Sequence, residues 1–107
     1  MKGSAMAEQT QADAKWLWRQ ADYVQQVFRE VGGITHPDHY VAFKPIMERT
    51  KLARGPVRLA CRSLRRRGLL AYQSGLWDDC GYPRGAGYGV TETGLDLWNQ
   101  LMGYGDD

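Results

Sequence analysis

The chain has too few cysteines for a disulfide framework: there are two, Cys61 and Cys80, in 107 residues. Small secreted scaffolds stapled by several bridges are therefore excluded, and a reducing, cytoplasmic setting is the default expectation. No run of 18 or more apolar residues occurs, so no membrane span is expected. No secretory signal is visible at the start. There is no phosphate-binding glycine loop, no dinucleotide fingerprint and no serine–histidine–acid set. An enzyme is not expected, and neither is an organic cofactor. His36 and His39, with the two cysteines, lack the spacing of a zinc site, so no metal is expected. Asp78-Asp79 is a carboxylate pair without a third ligand and reads as a solvated turn.

One further scarcity is local. Residues 44–67 hold nine Lys and Arg against Glu48 alone, a charge of +8, and since the whole chain carries +2 the remainder carries −6. A mean charge near zero thus hides a polarised molecule, and it is the local sign that steers a charged ligand. The basic side chains also follow a helical period. Over 54–68, Val57, Ala60, Cys61 and Leu64 fall on one side of a helical wheel, while Arg54, Arg58, Arg62, Arg65 and Arg66 fall on the other. Like charges three or four residues apart repel. Arginine, moreover, suits bidentate contacts to phosphate and to guanine. A solvated charged face is the plain alternative. The single sign and the choice of arginine favour a surface made for polyanion.

Residues 1–10 are expected to be a disordered leader, with Met1-Lys2-Gly3-Ser4-Ala5 an added segment and Met6 the native start. One domain is expected over 11–103, followed by a tail at 104–107. Leu17, Ala21, Val24, Phe28 and Val31 step as a core stripe, so one helix is expected from about Ala12 to Val31, ended by Gly32-Gly33. Trp16 and Trp18 flank the stripe, either capping the core or forming an exposed aromatic patch for a dimer contact. Tyr40–Phe43 is a short candidate strand. Pro45 opens a second helix over Lys44–Thr50, Lys51-Leu52-Ala53 is a tight turn with Leu52 buried, and Pro56 is tolerated in the first turn of the arginine helix. Gly68 stops that helix. Strands are expected at 69–73 and 88–90, joined by a long glycine-rich loop. Thr91 is an N-cap, and the last helix, about Glu92–Met102, carries Leu95, Trp98, Leu101 and Met102 on one side. The expected class is mainly α with a small antiparallel hairpin, in the order helix, short strand, helix, helix, strand, strand, helix. Two short helices joined by a three-residue turn make a helix-turn-helix unit, and the hairpin after it makes a wing.

At this level the chain resembles the winged helix-turn-helix domain of MarR-type transcription regulators. Leu64-Arg65-Arg66-Arg67-Gly68-Leu69-Leu70 resembles the end of that family's recognition helix. Val90-Thr91-Glu92-Thr93-Gly94 resembles the start of its helix after the wing. Arg84 stands six residues before Val90, as the family's wing arginine does. The wing is longer than the family's, with Tyr82 where an aspartate is usual, and the flanking dimerisation helices are short or absent.

The resemblance implies sequence-specific binding of double-stranded DNA by a homodimer, in a small bacterial or phage transcription regulator. On that reading Arg54, Arg58 and Arg62 are the base-reading candidates, since the start of the recognition helix approaches the bases. Lys44, Arg49, Lys51, Arg65 and Arg66 are phosphate candidates, with Arg67 a clamp or solvated. Leu59 packs on a neighbour or meets a thymine methyl. Arg84 is the minor-groove candidate of the wing, against a plain loop arginine. Trp16, Trp18 and Trp98 are the dimer-interface candidates. The rival reading is a winged helix serving as a protein-interaction module, through the wing (Trp77, Asp78, Asp79, Tyr82) or through the aromatic patch. Single-strand binding is the weakest reading, because it needs aromatics among the basic residues, and along the chain they lie mostly outside 44–67.

Overall fold

A computed structural model describes residues 2–77 and 83–103, with side chains described for 8–74 and 86–103. The order is α1 (Lys2–Trp18), α2 (Asp22–Ile34), α3 (Phe43–Thr50), α4 (Arg54–Arg67), β1 (Leu70–Trp77), β2 (Pro83–Val90) and α5 (Glu92–Met102). This is the expected mainly helical chain with one antiparallel hairpin. Among the described residues, no helix is long and apolar enough to cross a membrane.

Three expectations need correction at the start of the chain. Residues 2–10 are helical rather than a disordered leader. Ala5, Ala7, Glu8, Gln9 and Gln11 are all strong helix formers, and Gln9 Nε2 donates to both carboxylate oxygens of Asp13 one turn on, at 3.1 Å each. The single helix expected over 12–31 is two helices. The chain breaks at Arg19–Ala21, where Arg19 and Gln20 close tighter bonds to Trp16 O and Leu17 O. Ala21 is extended (ψ 156°) and exposed. Leu17, Val24, Phe28 and Val31 do enter the core, but from either side of a bend.

Gly32 does not end α2. It lies inside the helix and lets Trp98 of α5 rest against its backbone. The stop falls at Thr35, whose hydroxyl donates to Val31 O (2.6 Å) and accepts from Val90 N–H (3.0 Å).

The core gathers Val27, Phe28 and Val31 of α2, Ile46 of α3, Val57, Ala60, Cys61 and Leu64 of α4, Leu69, Leu70 and Val90 at the hairpin root, and Leu97 of α5. Leu97, which the sequence reading left out, is the fully buried leucine of α5. Leu95, Trp98 and Leu101 pack around it, partly buried. Leu52 likewise is half-buried rather than sealed. The turn into α4 works because Lys51 takes a left-handed conformation (φ 62°) and donates its N–H to Met47 O.

The hairpin is longer than expected. Pairing runs from Leu70↔Val90 out to Trp77↔Pro83. Between Gln73↔Gly87 and Leu76↔Gly85, β1 carries one residue more than β2, a bulge at Ser74-Gly75 that breaks the alternation a strand reading looks for. The expected strand at Tyr40–Phe43 shrinks to one bridge, in which Val41 and Tyr88 exchange both backbone bonds at 2.9 Å.

Candidate nucleic-acid interface

The arginine helix is built as the wheel implies. Val57, Ala60, Cys61 and Leu64 are fully buried, and Arg54, Arg58, Arg62, Arg65 and Arg66 are exposed. Burial pushes the Cys61 thiol up to about 12, so it remains a neutral apolar group. Arg54, Arg58, Arg62 and Arg65 form a row about 16 Å long by helical rise. Among the described residues none of the five exposed arginines has an acidic partner.

Arg67 is the exception, and its reading as a clamp or solvated residue is corrected. Its Nε donates to the carboxylate of fully buried Asp13 at 2.8 Å, and its guanidinium lies over the Trp16 ring, 5.5 Å from the centroid. The last arginine of the run therefore ties α4 to α1.

Helix stability does not account for the arrangement. α4 starts at Ala53 with no side-chain cap and has no acid in its first turn. Arg54 places a positive charge at the positive end of the helix dipole, which costs about 0.3–1 kcal/mol. At the other end the charges suit the dipole, and Gly68 (φ 88°) closes the helix through Gly68 N–H to Arg65 O and Leu69 N–H to Leu64 O.

Beside this row the fold places three aromatics that lie outside residues 44–67 along the chain. Tyr72 on β1 sits directly opposite Tyr88 on β2, their rings edge to face at 5.3 Å. Tyr88 in turn stacks on Phe43, at 5.9 Å and 22°. Arg54 covers Phe43 (5.3 Å) and Arg65 covers Tyr72 (5.1 Å). The result is a continuous ladder, Arg54–Phe43–Tyr88–Tyr72–Arg65. With Arg58, Arg62 and Ala86 it bounds a concavity of about 510 Å³ between α4 and the hairpin. Tyr88 is nearly buried, and burial raises its phenol pKa, with Cys61 adding and Arg65 and Arg62 opposing. Tyr72 remains 43% exposed. None of these three aromatics was singled out from sequence, because nothing in the local pattern announces that residues 43, 72 and 88 meet.

Lys44, Arg49 and Lys51 are exposed on α3 and the turn. Leu59, 56% exposed, has no place in the core. Arg84 lies on β2, but its side chain, with those of Trp77 and Tyr82 and with Asp78, Asp79 and Cys80, falls outside the described residues. His36 and His39 stack on each other at 5.2 Å across a turn in which Asp38 has φ 74°.

The three tryptophans expected at a dimer interface, Trp16, Trp18 and Trp98, do not form one patch. Trp18 is 62% exposed and shares an apolar concavity of about 310 Å³ with Trp98, Leu17, Phe28, Leu101 and Met102. Trp98 is anchored there, its Nε1–H donating to Arg29 O at 2.8 Å. Trp16 lies apart, beside Gln20, Ser63, Arg66 and Arg67. No family model matches this chain, and comparison with curated proteins and with solved structures finds no significant match to either.

Proposed function

We propose that this protein binds double-stranded DNA sequence-specifically, as a small transcription regulator of bacterial or phage type with a winged helix-turn-helix architecture, acting in the cytoplasm. One observation carries the reading: five arginines project from one helix, unpaired with any described acid, beside a β-hairpin. Like-charged neighbours and an uncapped, adversely charged helix start lower stability. A polyanion relieves both costs.

On this reading α4 enters the major groove, and Arg54, Arg58 and Arg62 face base edges. Arg65, Arg66, Lys44, Arg49 and Lys51 neutralise phosphates, and Arg84 of the hairpin reaches toward the minor groove. The protein acts as a homodimer on half-sites about 10 base pairs apart or a multiple of that. Trp18 and Trp98, which share one apolar concavity, are the dimer residues; Trp16, already stacked with Arg67, is set aside.

Selection of bound duplexes from a random pool at moderate salt tests the proposal, and an enriched palindrome is the expected outcome. On the selected site, Arg58→Ala should cost about 1–3 kcal/mol and relax preference at one base pair. Arg66→Ala should weaken all duplexes alike and flatten the salt slope by about one unit. A pool that enriches nothing, with affinity insensitive to salt, sinks the reading.

The exposed Trp18 beside an apolar concavity favours a second reading, a docking site for another protein. Stoichiometric capture of a protein in high salt, lost in Trp18→Ala and accompanied by no duplex affinity, would select it instead.

A further inference from the structure

We propose that the concavity between α4 and the hairpin also holds an unpaired nucleotide of single-stranded DNA, its base stacked on Tyr72 and its phosphates held by Arg58, Arg62 and Arg65. The inference rests on the reading that the arginine row faces nucleic acid; on an open strand Arg58 and Arg62, which face base edges in a duplex, turn to the phosphates. It adds an open strand to the ligands of that site.

Sequence-tolerant single-strand grooves combine a basic track with aromatic faces on which bases stack. Along the chain the two are separate. In the fold they are one surface, since Phe43, Tyr72 and Tyr88 line the same concavity as Arg54, Arg58, Arg62 and Arg65. Duplex phosphates require only the cations. The ring of Tyr72, 43% exposed at the rim of a polyanion-binding row, is surplus to that task.

The ring is also held in place. Tyr88 meets it edge to face at 5.3 Å, and Phe43 backs Tyr88 at 5.9 Å. Leu70 and Val90, two residues nearer the hairpin root on the same face, are buried. The platform is thus rooted in the core and exposed at its tip.

Arg65 rests over the Tyr72 ring, 5.1 Å from its centroid. A cation–ring contact at an exposed site is weak, whereas arginine on phosphate makes a charge-assisted, two-pronged bond. An arriving strand therefore draws the guanidinium onto its backbone and frees the ring face for the base. Arg65 serves as a removable cover.

The test is fluorescence anisotropy at fixed ionic strength with three probes: a 12-nucleotide oligothymidylate, an abasic deoxyribose-phosphate strand of the same length, and a blunt duplex. Stacking of one base predicts that the oligothymidylate binds about 5- to 150-fold tighter than the abasic strand. Tyr72→Leu should erase that gap and Tyr72→Phe should keep it, while duplex affinity stays within about twofold in both. Thermal melting of each variant verifies that the exposed position leaves folding intact. Equal binding of the two single strands, or a Tyr72→Leu loss shared equally by all three probes, overturns the proposal. The two readings fail separately. Duplex binding without a base-dependent gap removes only the stacking site. A base-dependent gap without duplex affinity removes the duplex reading and leaves the site.

Discussion

Arg67 reaches 2.8 Å across from the end of the basic helix to the wholly buried carboxylate of Asp13, 54 residues earlier. It has the same side chain as Arg66 next to it and the opposite task. Arg67→Ala should lower stability by about 2–3 kcal/mol, because it leaves a buried carboxylate with only Gln9 as a described partner. Arg66→Ala should stay within about 0.5 kcal/mol of the parent, as exposed positions do. Urea denaturation of the two variants checks the contrast. Equal midpoints would show that the pair is not structural.

A second junction joins the end of α4 to the start of α5. Thr91 Oγ1 donates to Gly68 O at 2.6 Å and accepts from Gly94 N–H at 3.0 Å, while Thr91 N–H donates to Leu69 O at 3.1 Å. A methyl on Gly94 would strike Leu69 O and lie 2.8 Å from Val90 Cγ2. Thr91→Ala should cost about 1 kcal/mol as a lost cap. Gly94→Ala should cost more, since the obstacle is backbone and cannot swing aside. Thermal melts rank the two, and the reverse order would count against this account.

The sequence made α4 legible because it has an apolar period and a clear stop at Gly68, where φ is positive; the extent of α5 was legible too, but not its buried leucine, Leu97. Thr91 as the cap of α5 was legible because a threonine hydroxyl suits that position. The joint at Arg19–Ala21 was not, since Gln20 and Ala21 are ordinary helix residues. Nor was the outer hairpin, whose bulge and glycines erase the two-residue alternation. The five exposed arginines could be read from a wheel. Their aromatic neighbours and the pairing of Arg67 could not, because both depend on contacts between distant segments.

Gly32 and Trp98 give a further prediction. A Cβ at position 32 would collide with Trp98 Cδ1 and come within 2.7 Å of Cγ. Gly32→Ala should displace the indole, break its bond to Arg29 O and cost about 1–3 kcal/mol by overpacking. Tryptophan emission should shift to the red as the ring meets water. An unchanged spectrum and melt would mean that α5 accommodates the methyl.

Alkali provides a fourth. The Cys61 thiol is raised from 9.0 to about 12 in the fold, so between those values the unfolded chain loses a proton that the folded one keeps. Stability is therefore fully present below pH 9 and should fall by about 1.4 kcal/mol per pH unit above it until near 12. Tyr88, also raised, acts in the same direction above 10. Cys61→Ala should flatten the slope above pH 9 relative to the parent, as read by urea midpoints. Parallel slopes would argue against a sealed thiol.

The bond between Asp13 and Arg67 also makes the N-terminal helix a lever. Its fulcrum is a carboxylate sealed in the core, and its load is the tail of the rod that bears the guanidinium row. Cargo fused ahead of Lys2 pulls on that rod through the ion pair and the contact of Arg67 with the Trp16 ring. Among the described residues α5, which ends at the exposed Gly103, has no ion pair to that rod, so the C-terminal side is the gentler place for a label.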